Sequence, residues 1–227
     1  MSRRIKWEHI VGLLGVLGMI GGHYAGLFVA PPERMMGDVG RIFYVHVPVA
    51  ILSMLMFSVS GLAALGYLMT SRMSLDWLVE STVEVGVMLS TLLLILGSVW
   101  ARPTWGVWWT WDPRLITATV LLLTFVGVML LRSATTNPEK RATWSSVATL
   151  FAWVNVPITY KSVQWWRSLH QIQTPQDAIS DPMRLVYHEN MIAMILVLVW
   201  FVAWRWRIAK SAALAEAPEP LPEAVNP

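Results

Sequence analysis

The chain contains no cysteine, so its own side chains form no disulfide, ligate no iron–sulfur cluster and run no thiol relay. It is also poor in charge. Only 14% of its residues are Asp, Glu, Lys or Arg, against roughly 25% in soluble domains. A formal net charge of +3 without any basic run argues against nucleic acid as a partner. No His-Glu-x-x-His motif or comparable tight cluster is present, which disfavours zinc chemistry. The apolar stretches hold almost no ionisable residues, with Glu84 at the inner edge of the third. An ion-coupled transporter or proton pump keeps such groups near the bilayer midplane. A cleavable signal peptide is not expected either: the first apolar run, 10–30, is too long for a signal h-region and reads as a retained helix.

What the chain has instead is apolar surface. It is 56% hydrophobic over 227 residues, with 14 tryptophans and a mean hydropathy of +0.53. These values predict an all-α integral membrane protein, a bundle of six transmembrane helices over 10–30, 45–70, 83–101, 115–132, 143–160 and 185–205. Asn155 and Pro157 interrupt the fifth span. One transmembrane domain therefore covers 1–210, and the Ala/Pro/Glu-rich residues 211–227 are expected to be a disordered cytoplasmic tail. With the N-terminus inside, ten of the 17 Lys and Arg fall on the cytoplasmic side, so both termini are expected in the cytoplasm. The external loops are then about 31–44, 101–114 and 161–184. Gly12, Gly15, Gly18, Gly22 and Gly26 form a small-residue stripe for close helix packing.

The densest signal is Trp105-Gly106-Val107-Trp108-Trp109-Thr110-Trp111-Asp112-Pro113-Arg114, which puts four indoles into seven positions between two apolar runs. A membrane-interface belt contributes fewer aromatics per helix end. This stretch is better suited to be a platform for a large flat ligand. Three of the five histidines fall in the external half: His46, His170 and His188. His46 and His170 stand near helix mouths beside aromatics or an arginine; His188 remains an alternative ligand, unless Glu189 fixes it as a structural hydrogen-bonded pair. An iron porphyrin suits these parts: imidazoles ligate iron axially, indoles pack on the macrocycle and arginines meet propionates.

Three segments carry a resemblance to a known family: Tyr44-Val45-His46-Val47-Pro48, the Trp105–Leu115 stretch, and Val163-Gln164-Trp165-Trp166 followed by Leu169-His170-Gln171. From the first span to about residue 207 the chain resembles the CcmC family of cytochrome c maturation proteins. That resemblance implies haem b, held transiently by two histidines at the periplasmic face of the bacterial inner membrane. The haem then passes to a membrane-tethered periplasmic haem chaperone (the E component). An ATP-binding transporter complex with a small membrane subunit releases the loaded chaperone. Carried over motif by motif, His46 and His170 are the axial ligands. Trp105, Trp108, Trp109, Trp111 and Asp112 form the surface for haem and chaperone. Arg114 and Arg102 are added, from their charge and place, as propionate contacts. The family usually has a small residue where this chain has Pro113, and a Thr sooner after Leu115. Asp-Pro is reminiscent of the related synthase branch, haem lyases that attach haem to apocytochrome. Arg114-Leu115, the six-span length and the Leu-His-Gln context favour delivery, so no catalytic residue is expected.

Overall fold

The computed structural model describes residues 7–170 and 179–216. They form α1 (Trp7–Tyr24), prolonged by a π-helical turn (Ala25–Val29), a 3-10 turn (Asp38–Ile42), α2 (Phe43–Thr70), α3 (Met73–Trp105), α4 (Pro113–Ala134), α5 (Pro138–Trp153), α6 (Asn155–Trp165) and α7 (Asp181–Glu216). Five of these stretches are long and apolar enough to cross a membrane: α1 with its π turn, the segment Asp38–Thr70, α3, α4 and α7. In the place of the sixth, α5 and α6 run almost end to end, broken at Val154. The break has a local cause. Pro157 lacks an N–H, and its ring crowds the carbonyl of the residue four positions back, Trp153.

The bundle is an integral membrane protein, and its core lies along α2 and α3. One apolar cluster joins Phe57, Val79, Val83, Phe125 and Val128; a second joins Val49, Leu52, Val85, Leu89 and Leu198. The glycine stripe of α1 lies on α7. A Cβ added at Gly15 would stand 2.8 Å from the backbone nitrogen of Val197, and one at Gly22 would stand 2.9 Å from Asn190. The opposite face of α1, with Leu13, Leu14, Leu17 and Ile20, is exposed, as a lipid-facing surface should be.

Two helices are longer than hydropathy predicts, for the same reason. α3 begins ten residues before 83 because its charged first turns are paired. Arg132 donates to Asp76 at 2.7 and 2.8 Å and to Glu80 at 2.7 Å, and Arg205 donates to Glu84 at 2.5 and 2.6 Å. α7 continues past 205 to Glu216, which meets Arg141 at 2.6 Å. Residues 211–216 of the expected disordered tail are therefore helical, favoured by Ala212, Ala213 and Leu214. The rest of that tail, 217–227, lies outside the described residues. A mostly apolar cavity of about 470 Å³ opens at this paired-charge end, between α3, α4, α5 and α7, and no histidine lines it.

The candidate haem site

The opposite end of the bundle gathers the start of α2, the end of α3, the start of α4 and the segment after α6. His46 lies one turn into α2 and faces α3. A Cβ on Gly97 would stand 3.3 Å from its Cε1, and the Trp100 indole meets the ring edge-on at a centroid distance of 5.3 Å. Nδ1 of His46 is buried with no hydrogen-bond partner. Buried polar atoms are almost always paired, so an unpaired imidazole nitrogen here is a candidate for a ligand.

Further along α3, Pro103 is accommodated inside the helix and does not end it; Gly106 does. Its φ of +79° is left-handed backbone that suits glycine at a helix C-terminus. Its N–H bonds back to the Arg102 carbonyl at 3.0 Å, and the Arg102 guanidinium donates to the Gly106 carbonyl. The first part of the expected loop 101–114 is thus the last turn of α3. This places Trp105, whose ring meets His170 edge-on at 5.0 Å. Trp100 and Trp105 are five residues apart, about 7.5 Å along one helix, so α3 carries an aromatic partner for each histidine. The imidazoles are within electrostatic reach of each other and of Arg114.

Asp112 is the N-cap of α4 with Pro113 in its first turn, the residue order that starts helices well. Its carboxylate accepts from the Arg114 N–H at 2.8 Å, the Ser168 hydroxyl at 2.9 Å and the Leu169 N–H at 2.6 Å. Nδ1 of His170 lies 3.4 Å from Asp112 Oδ1. Burial alone pushes this carboxyl up, but the hydrogen bonds from Leu169, Arg114 and Ser168 outweigh it and hold Asp112 below the usual carboxylate range. Burial pushes His170 down. Asp112 opposes that shift and Arg114 adds to it, leaving the ring below the ordinary imidazole value. Arg114 itself reaches α6, donating through Nη1 to the Thr159 and Tyr160 carbonyls at 2.5 and 3.3 Å.

Of the residues singled out in the sequence, His46, His170, Trp105, Asp112 and Arg114 therefore converge. Trp108 and Trp111 are exposed at 58% and 81% and stand outside that cluster, as does Arg102 at the end of α3. Trp109 is half-buried and meets Trp111 edge-on at 6.0 Å. The other histidines do not join them. His23 Nδ1 pairs with the Met19 carbonyl, Trp200 donates to His9, and His188 is exposed against Tyr187. Among the described residues no three or more His, Asp or Glu cluster as metal ligands. Sequence reading passed over Gly97, Trp100 and Ser168. A glycine three residues before a tryptophan on a lipid-length helix was the available sign for the first two; Ser168, two residues before His170, left none.

Compared with known proteins, residues 2–218 match the family model CcmC, described as heme exporter protein C. The heme exporter protein C of Bradyrhizobium diazoefficiens is 36% identical over 75% of this chain and 63% of its own length. The chain thus spans just under two thirds of that relative. The Escherichia coli K12 protein of the same name is 31% identical over 89% of this chain and 82% of its own length. A putative cytochrome c biosynthesis ccmC-like mitochondrial protein of Marchantia polymorpha is 30% identical over 65% of this chain and 62% of its own.

Proposed function

Because the chain belongs to the heme exporter protein C family, CcmC, a haem-handling family of cytochrome c biogenesis, we propose that it holds haem b at the periplasmic face between His46 and His170. It is an integral protein of the bacterial inner membrane, and a handling or transport protein in place of an enzyme. Haem brings an iron that takes two axial nitrogens, and a flat macrocycle with two anionic propionates. The residues suit that cargo. The observation that carries the reading is the pair of unlike imidazoles at one end of α3. Nδ1 of each is buried without a hydrogen-bond partner, and only that of His170 has a carboxylate 3.4 Å away, the kind of group that stands behind a ligating histidine.

Around that pair, exposed Trp108 and Trp111 offer apolar faces to a porphyrin or to a docking protein. Trp165 and Trp166, exposed and edge-on at 5.9 Å, extend the same aromatic surface beyond α6. Arg102 and Arg114 supply positive charge for propionates, although one nitrogen of each is already committed to backbone carbonyls. The recipient in this reading is a membrane-tethered periplasmic haem chaperone, and an ATP-binding transporter complex with a small membrane subunit then frees the loaded chaperone.

The test is the absorption spectrum of the protein purified in detergent, oxidised and reduced, beside His46→Ala and His170→Ala. A low-spin haem spectrum that becomes high-spin or disappears in both variants supports the reading. A parent that takes up no haem when supplied with it, or variants with parental spectra, would overturn it.

A further inference from the structure

We propose that Asp112 is the positioning residue for His170: it clamps the 168–170 segment to the start of α4 and turns the His170 ring so that Nε2, and not Nδ1, is left for a ligand. This rests on the reading of His170 as an iron ligand, and it removes Asp112 from the surface that meets haem.

Asp112 is 6% exposed, and its two oxygens are taken up inside the protein. Oδ1 faces the Arg114 N–H, the Ser168 hydroxyl and His170 Nδ1, while Oδ2 accepts from the Leu169 N–H at 2.6 Å. A helix N-cap needs the first of these contacts. The other three reach 56 to 58 positions along the chain and serve the histidine segment. Ser168 completes the clamp, since its hydroxyl donates to Asp112 and accepts from the His170 N–H at 3.0 Å. The ring is thereby bracketed by the carboxylate on one edge and by Trp105 at 5.0 Å. A carboxylate facing Nδ1 selects the tautomer with its proton there, which leaves the lone pair on Nε2 and makes that nitrogen a stronger donor. Nδ1 of both histidines is buried without a formed hydrogen bond, but only His170 has a carboxylate within 3.4 Å of it.

Two measurements on Asp112→Asn and Asp112→Ala separate the clamp from the ligand reading. The first is amide hydrogen exchange of the 166–170 segment in haem-free protein. Loss of a charge-assisted hydrogen bond should speed exchange at Leu169 by about tenfold or more in both variants. Parental exchange rates in both would overturn the clamp whatever happens to haem. The second is the reduction potential of the haem-loaded protein. Asn preserves the shape but not the charge, so Asp112→Asn should bind haem and show a potential raised by about 59 mV, a tenfold loss of preference for the ferric state. The rise is expected because a weaker donor favours ferric iron less. A potential equal to that of the parent would overturn the orienting role. A parent without haem would overturn only the reading of His170 as a ligand, and the exchange result would still judge the clamp.

Discussion

Trp111 separates a ligand platform from a membrane belt. Its side chain is 81% exposed, so Trp111→Ala removes little packing, and a substitution away from the core typically shifts stability by no more than about 0.5 kcal/mol. A flat ligand on one face would cover roughly 80 Å² of an indole that presents roughly 200 Å² in all. At about 25 cal/mol per Å², that contact is worth about 2 kcal/mol, or about 30-fold in affinity. The assay is titration of haem into detergent-solubilised, haem-free protein, followed by the Soret band, with a thermal unfolding midpoint taken on the same samples. Trp111→Ala should bind haem about 30-fold more weakly and unfold at the parental temperature. Trp204→Ala is the control, because that indole is half exposed on α7 next to Arg205, which pairs with Glu84 at the charged end. Haem affinity for Trp111→Ala within about threefold of the parent would refute the platform and leave Trp111 an interfacial anchor.

Three further outcomes follow from the fold. Arg132→Met leaves Asp76, whose side chain is 3% exposed, buried without its cation; the loss should be about 3–5 kcal/mol, read as a fall in the unfolding midpoint. Gly15→Val should cost about 1–3 kcal/mol by forcing α1 off the Val197 backbone, read by the same midpoint and by loss of cross-linking between cysteines introduced on α1 and α7. For pH, Asp112 titrates below the ordinary carboxylate value of 3.8, so its stabilising share is full above that value and is lost as pH falls through the lower folded one. Because Asp112 also favours the protonated His170, the gap in unfolding midpoint between the parent and Asp112→Asn should not shrink from pH 7 to pH 5 and should close only below 3.8; a gap that closes by pH 5 contradicts the assignment.

Hydropathy located the five long apolar helices because apolar length is a property of sequence alone, whereas at 143–160 the structure has the two shorter helices α5 and α6. It cut α3 short at 83 because a window scores Asp76 and Glu80 as polar and cannot see Arg132, 52 positions from Glu80, neutralising them. It also took 101–114 for a loop, since Pro103 is a common helix breaker, whereas the stop comes three residues later at Gly106. In the site, the types of His46, His170 and the tryptophans were legible from chemistry and motif. The task of Asp112 was not: Asp-Pro reads locally as a helix start, and that reading is correct, but the contacts to Ser168 and Leu169 are long-range. The same holds for Arg114, whose charge suggests an anion and whose Nη1 is spent on the Thr159 and Tyr160 carbonyls.

Among the described residues, the contacts that hold His170 come from residues earlier in the chain: Trp105, Asp112 and Ser168. Two of these, Trp105 and Asp112, stand at the end of α3 and at the start of α4, 65 and 58 positions back along the chain. The imidazole therefore takes its register from the α3–α4 junction, and a change of length between Trp105 and Asp112 would be felt at His170.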